Sequence, residues 1–390
     1  MGYSFFRLPQ LCVYGQGSFQ EVGIQTSKFG KTALLVSDPI ISKMGYVDEC
    51  RKYLEDAGVT AFVYTNIDSE PTDVHVEEAL NICRENNCDV IVALGGGSCL
   101  DTAKAVAVMV NNEGYIGDYM GGKKEIANAP LPLICLPTTA GTGSEVTDVT
   151  VITNTSEDIK MMIKNPAFLP KVAIVDPYLS KTAPPKVTAA TGIDALCHAI
   201  EAYISRRSQP MTDTLALSAI EKIINNIETA YNNGSDIHAR DQLALAAMEA
   251  GAAFSNASVC LVHGMSRPIG ALFHVPHGIS NAMLLPAVLE FSKDHCVERL
   301  AAIGRLIDKK LEQLSDDDAA NETIEKVKQL CRNLNIPNLK DYGIDQKQFE
   351  DHLEKMAEDA IASGSPGNNP RIPSKEEIIE LYRYCYNYQF

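Results

Sequence analysis

The segment Asp89–Ser98, DVIVALGGGS, constrains the fold more than any other stretch. From Val90 to Leu94 it is apolar without a polar break. That is the pattern of a strand buried on both faces, as in a parallel sheet covered by helices. It runs directly into three glycines and a serine, and then into a helical stretch that reaches Val110. Parallel strands need long crossovers, usually helices, and the neighbouring sequence supplies them. Thr32–Ser37 and Thr60–Thr65 predict strands, and Val47–Ala57 and Asp73–Asn86 predict helices. Leu133–Leu136, Asp148–Thr153 and Val172–Val175 predict further strands. Alternation of this kind implies an α/β layered fold with right-handed crossovers.

After Pro184-Pro185 the strand-like runs stop. Amphipathic helical stretches replace them: Val187–Ser205, Met211–Asn232, His238–Ser255, Asp318–Leu334, Gln346–Ala362 and Lys375–Tyr388. The proline pair is the expected boundary between an α/β domain, residues 1–184, and an all-helical domain, residues 185–390. A chain of 390 residues has room for both, each with its own core.

Charge and cysteine content narrow the function classes. Lys and Arg number 34 against 50 Asp and Glu, a net charge of −16. An acidic surface argues against nucleic acid and against a polybasic membrane patch. The eleven cysteines are odd in number, scattered and free of any Cys-x-x-Cys pair, as expected for reduced thiols in the cytoplasm. The start, MGYSFFRLPQLCVYGQG, lacks the basic and apolar regions of a secretory signal. No run of about 18 apolar residues predicts a membrane span. These features favour a small-molecule enzyme.

Two loops carry the marks of a nucleotide site. Gly95, Gly96 and Gly97 let a phosphate approach the backbone, and the following helix offers free N–H groups and a partial positive charge. Ser98 either caps that helix or meets a phosphate oxygen; the plainer alternative is a tight turn with a serine cap. Pro137–Glu145, PTTAGTGSE, leaves the next strand with Thr138, Thr139 and Thr142 as hydroxyl donors. Loops at the carboxyl ends of neighbouring parallel strands frame a nucleotide crevice. Asp38, at the end of the first clear strand, suits a ribose hydroxyl and repels a 2′-phosphate, or forms an Asx-turn before Pro39. Gly15-Gln16-Gly17 reads as a turn.

A separate constellation suits a metal. Asp194 and His198 are four apart on a predicted helix and share one face. His263 and His277 follow, fourteen apart, in VHGMSRPIGALFHVPHG. One carboxylate and three imidazoles match a divalent ion such as Fe²⁺ or Zn²⁺, although any one such histidine alone is more often a packed, hydrogen-bonded core residue than a ligand. His274 is placed either to join this set or to support it.

Taken as an ordered set, GGGSCLDTAK, PTTAGTGSEVT, TAATGIDALCHAIEAYIS, AFSNA, VHGM and VPHGISNAMLLP resemble the iron-containing (group III) alcohol dehydrogenase family over nearly the whole chain. The resemblance implies an N-terminal Rossmann-like dinucleotide-binding domain and an all-α metal-binding domain, with catalysis in the cleft between them. It implies NAD(H) and a divalent metal, Fe²⁺ ahead of Zn²⁺, acting on a small alcohol or aldehyde in a homodimer or larger assembly. The ligands it implies are Asp194, His198, His263 and His277. Cofactor contacts fall on Gly95, Gly96, Gly97, Ser98, Asp101, Thr138, Thr139, Thr142 and Lys160, with Asp38 selecting NAD over NADP.

Two positions depart from the family pattern. Glu70-Pro71 stands where an Asn-Pro is common, and its negative charge disfavours NADP further. Arg267 stands where many members have a histidine connected with proton transfer. A guanidinium stays protonated and cannot relay a proton, but it binds carboxylates, sulfonates and phosphonates bidentately. Arg267 therefore raises the expectation of an anionic aldehyde, the alternative being a pair with a nearby acid. A proton path through a cofactor ribose hydroxyl, water or His274 is a further expectation. A lyase or glycerol-dehydrogenase-like enzyme on the same scaffold is the alternative that His198 argues against. The four retained ligands argue against a non-catalytic assembly protein.

Overall fold

The computed structural model describes residues 3–157 and 159–390. Two compact units result: one is Arg7–Thr182, the other runs from Ala183 to Phe390 and includes the N-terminal stretch that ends at Phe6.

The first unit alternates strands and helices: β1 (Leu11–Tyr14), α1 (Glu21–Thr26), β2 (Thr32–Val36), α2 (Pro39–Lys43), α3 (Tyr46–Asp56), β3 (Thr60–Tyr64), α4 (Asp73–Glu85), β4 (Val90–Gly95), α5 (Gly97–Met109), β5 (Leu133–Pro137), β6 (Val149–Asn154), β7 (Ile159–Lys164), β8 (Val172–Val175) and α6 (Pro177–Ser180). Six of the strands form one sheet in the order β1-β8-β5-β4-β2-β3, with every pairing parallel. The uniform apolarity of the central strands has a direct cause. Leu34, Val36, Ile91 and Ala93 face a core that includes Val76, Leu80, Leu100 and Val106. Ala33, Leu35, Val90 and Val92 face the opposite core with Val22, Cys50 and Leu54. Both faces are covered by helices, so no polar alternation is possible. After β2 the chain moves toward β3, whereas after β4 it moves toward β5 on the other side. This reversal is the topological switch point of an open parallel sheet, where ligands bind outside the carboxyl ends.

Sequence reading did not find β1 or β7. β1 is four residues long and half exposed at the sheet edge. β7 is a Lys-bounded hairpin strand paired antiparallel with β6, from Asn154↔Ile159 to Val149↔Lys164. Gly15 (φ 124°) and Gly17 (φ 81°) form the turn after β1.

The second unit is helical: α7 (Pro185–Ile204), α8 (Pro210–Asn232), α9 (Ile237–Asn256), α10 (Leu261–Phe273), α11 (His277–Ser292), α12 (Val297–Ile307), α13 (Asp316–Asn333), α14 (Leu339–Tyr342), α15 (Gln346–Ala362) and α16 (Lys375–Tyr386). Proline at N1 starts α7 and α8, where its missing N–H costs nothing. α11 buries Ala282–Leu289 without interruption, so it lacks the single apolar stripe that reveals a surface helix. Among the described residues, no single helix is long and apolar enough to cross a membrane. All eleven cysteines are free thiols, ten of them buried.

Candidate functional site

Three helices of the second unit bring Asp194, His198, His263 and His277 together. One ligand atom from each lies within 4.8 Å of the other three. Asp194 and His198 sit one turn apart on α7, His263 in the first turn of α10, and His277 at the first position of α11. Asp194, His198 and His263 are almost fully buried. Asp194 Oδ1 is 3.6 Å from His263 Nε2 and 3.8 Å from His277 Nε2. Ligands about 2.1 Å from one shared ion stand about 3–4 Å apart, so these separations suit a metal with little movement. α11 reaches α7 because residue 278 is glycine; a Cβ there would stand 2.5 Å from the Ala190 carbonyl oxygen. Burial would raise the Asp194 carboxyl pKa, but His198, His277 and His263 outweigh it and hold the group far below the carboxylate range.

Two residues that sequence reading missed support the quartet. Glu201 is 1% exposed and accepts two hydrogen bonds: from the Val262 N–H at 2.7 Å and from His263 Nδ1 at 2.5 Å. Its signal was present in the spacing, since Asp194, His198 and Glu201 are i, i+4 and i+7 on one face of α7. Asn281 lies one turn after His277, and its Nδ2 is 2.6 Å from Asp194 Oδ1, 3.1 Å from His263 Nε2 and 3.2 Å from His277 Nε2. Phe254 of α9 stacks on the His198 ring, with centroids 4.2 Å apart. Burial lowers the His263 pKa, but the carboxylates of Glu201 and Asp194 raise it by more.

In the first unit, the two glycine- and threonine-rich loops pack on one another. A Cβ on Gly97 would lie 2.8 Å from Thr142 Cγ2, and one on Gly95 would lie 2.4 Å from Cys99 Sγ. Gly95 and Gly97 are thus required by close approach, whereas a Cβ on Gly96 would meet only Thr139, at an ordinary 3.6 Å; none of the three has a positive φ. The Thr138 N–H donates to the Gly95 carbonyl at 2.9 Å. Two charges in α5, the buried Lys104 and the partly buried Asp101, hold the second loop. Lys104 Nζ donates to Ser144 Oγ (2.7 Å), Thr147 Oγ1 (2.8 Å) and the Val149 carbonyl (2.8 Å). Asp101 accepts from Ser144 Oγ at 2.6 Å and from the Val151 N–H at 2.8 Å. Burial pushes the Lys104 pKa down, with Asp101 opposing it.

Several expected roles change. Ser98 does not cap α5; Gly96 holds that position, without a side-chain cap. Asp101 holds the second loop and β6 through Ser144 Oγ and the Val151 N–H. Asp38 Oδ1 caps α2 through the Ile40 and Ile41 N–H groups at 2.9 and 2.8 Å, so the Asx-type role is realised. Its Oδ2 lies 3.5 Å from Cys99 Sγ, at the switch point beside Gly95. Lys160 pairs with Glu70 at 3.5 Å, which joins the two residues the family comparison singled out. Arg267 donates to Ser365 Oγ at 2.9 Å. Burial lowers its pKa to about 10, opposed by the field of Glu201. His274 is exposed, ends α10 in a left-handed conformation (φ 53°) and stays outside the quartet.

The comparisons with known proteins agree with this geometry. The sequence model described as iron-containing alcohol dehydrogenase matches residues 9–177. The one for the C-terminal part of the Fe-containing alcohol dehydrogenase family matches residues 188–386. The 1,3-propanediol dehydrogenase of Citrobacter freundii is 37% identical over 392 residues, covering 99% of this chain and all of the relative. The NAD-dependent methanol dehydrogenase of Bacillus methanolicus is 35% identical over 380 residues, 97% of this chain and 98% of the relative. A crystal structure of a 1,3-propanediol oxidoreductase matches with a TM-score of 0.94 at 37% identity, over 98% of this chain and 100% of that one. The lyase and assembly-protein alternatives give way to these matches. The chain belongs to the iron-containing alcohol dehydrogenase family and is an oxidoreductase.

Proposed function

We propose that the chain is an NAD(H)-linked, metal-dependent alcohol dehydrogenase and aldehyde reductase for small substrates. Asp194, His198, His263 and His277 hold the metal, which is Fe²⁺. The observation that carries this reading is the convergence of four donors from three helices within 4.8 Å. When bound, the metal supplies Lewis acidity toward the substrate oxygen, and the nicotinamide supplies or takes the hydride. The protein's contribution is position and charge. Asp194 and Glu201 place two negative charges in a buried site, which matches a divalent cation and avoids an uncompensated interior charge. Phe254 covers one face of His198 and keeps water from it. Gly95, Gly96, Gly97 and Ser98 receive the pyrophosphate, with Thr138, Thr139 and Thr142 on the nicotinamide side. Asp38 and Glu70 disfavour a 2′-phosphate, and Lys160, held by Glu70 at 3.5 Å, lies near the cofactor.

The test is NADH oxidation with propanal or lactaldehyde by Fe²⁺-loaded protein, repeated after chelation and again after readdition of metal. Activity that survives complete metal removal refutes the reading. A second reading, an anionic aldehyde bound by Arg267, is supported by a guanidinium one turn after His263 on α10. It requires a higher kcat/KM for semialdehydes than for propanal, and loss of that preference in Arg267→His. A cytoplasmic homo-oligomer is also proposed. The free thiols support the compartment, and exposed Tyr3, Phe5 and Leu8 support the association; size-exclusion chromatography with light scattering tests the latter.

A further inference from the structure

We infer that Glu201 is a positioning residue for the metal: by accepting the Nδ1 proton of His263, it turns the Nε2 lone pair toward the quartet and adds a second negative charge behind the ligand. The inference rests on the metal site proposed above.

The two carboxylate oxygens have separate tasks. One accepts from the Val262 N–H, a first-turn donor of α10 that has no partner within its own helix. The other faces His263 Nδ1 at 2.5 Å. The remaining ring nitrogen, Nε2, then faces Asp194 Oδ1 at 3.6 Å and Asn281 Nδ2 at 3.1 Å. A neutral imidazole has one protonated and one free nitrogen. A carboxylate at Nδ1 accepts only, so the proton sits there and Nε2 is left free to ligate. Such carboxylate partners orient ligand rings and raise their basicity, and their loss typically costs 10–100-fold in metal affinity. The placement is also secure. Glu201 shares α7 with Asp194 and His198, so one rigid helix carries two ligands and the partner of a third. The Cys260 thiol donates to the Glu201 main-chain carbonyl at 3.5 Å, which ties the entry of α10 to the same turn.

Glu201→Gln separates this role from simple helix capping. The amide matches the carboxylate in shape but offers one acceptor and one donor. It cannot accept from both Val262 N–H and His263 Nδ1. If its oxygen stays on Val262, its NH₂ faces Nδ1 and drives the proton to Nε2, which disables the ligand.

The experiment compares wild type, Glu201→Gln and Glu201→Ala in full-length protein. Dissociation constants for Zn²⁺ and Co²⁺ are measured by chelator competition, with the visible spectrum of the Co²⁺ form and the Tm of metal-free protein. The expected result is a ~10–100-fold weaker metal affinity in both variants and an altered Co²⁺ spectrum. Affinity within twofold of wild type with an unchanged spectrum overturns the inference, even if the metal-free Tm falls, because that pattern belongs to a helix cap alone. Should neither variant fold, the ¹H–¹⁵N imidazole spectrum of Zn²⁺-loaded wild type decides. His263, assigned by its loss in His263→Gln, must appear as the Nδ1–H tautomer, and an Nε2–H form overturns the inference. Wild type that binds neither metal refutes the metal site itself, a failure distinct from wild type and Glu201→Gln binding equally well.

Discussion

Glu145 makes the first unit sensitive to pH in a way that one substitution should remove. It lies in the short turn Ser144–Val146 after left-handed Gly143 (φ 60°), and it is 2% exposed. Burial raises the thiol pKa values of Cys12 on β1 and Cys135 on β5, and the Glu145 carboxylate adds to both. Burial pushes its pKa from the ordinary 4.5 up to about 7, with its own backbone N–H and Lys104 opposing. The folded protein therefore holds this proton more tightly than the unfolded chain does. Between pH 4.5 and 7 the folded state binds more protons, so stability falls as pH rises through this window and levels off above it. At 1.36 kcal/mol for each tenfold difference in proton affinity, the full loss is about 3 kcal/mol. Glu145→Gln keeps the shape of the neutral acid and removes the titration. Its advantage over wild type should be near zero at pH 4.5 and grow to about 3 kcal/mol at pH 8. That corresponds to roughly 6–12 °C in Tm at about 2–4 °C per kcal/mol. Differential scanning calorimetry of both proteins at several pH values from 4.5 to 8 measures it. A Tm gap that does not change with pH refutes the reasoning.

The cofactor loops give three further tests. Lys104→Met leaves Ser144, Thr147 and the Val149 carbonyl without their donor; at about 1–3 kcal/mol for a buried group left unpaired, Tm should fall clearly and the KM for NAD should rise, and an unchanged KM would show that the loop holds its own shape. Gly97→Ala drives a Cβ to within 2.8 Å of Thr142 Cγ2, so NAD binding should weaken about tenfold or more as the loops part, while metal affinity in the other unit stays constant; isothermal titration of each ligand checks this. Asp38→Ala removes the α2 cap, a loss of about 0.5–2 kcal/mol, and should also raise kcat/KM for NADPH relative to NADH; a constant ratio means that Asp38 serves α2 alone.

The metal quartet was legible in the sequence because chemistry and spacing coincided: four donors of the right types, two of them one helical turn apart. Its supports were not. Glu201 reads as one more solvated glutamate in HAIEAY until α10 is known to approach α7, and no local pattern reports that approach. Asn281 was hidden in the same way. No local pattern marks Lys104 as buried, since a fully buried ammonium is rare; the Ser144 and Thr147 hydroxyls, the Val149 carbonyl and the Asp101 carboxylate around it explain its position. The sheet was read from strands apolar on both faces, whereas β1 escaped as a short edge strand and β7 as a Lys-bounded one. α10 and α11 escaped for a different reason: each contains a proline, and α11 in addition lacks a single apolar stripe for periodicity to detect.

The placement of Asp194, His198 and Glu201 on α7 converts sequence spacing into angle. At 3.6 residues per turn the three fan over about 60° of the helix circumference. A single-residue insertion or deletion between Asp194 and His198 would swing one side of the set by about 100° relative to the other. No adjustment of side-chain torsions could restore the geometry. Insertions in the connection between α7 and α8, or between α13 and α14, leave that angular phase untouched. Length variation should therefore be tolerated in those connections, whereas inside α7 and the first turns of α10 and α11 one residue more or less is equivalent to losing a ligand.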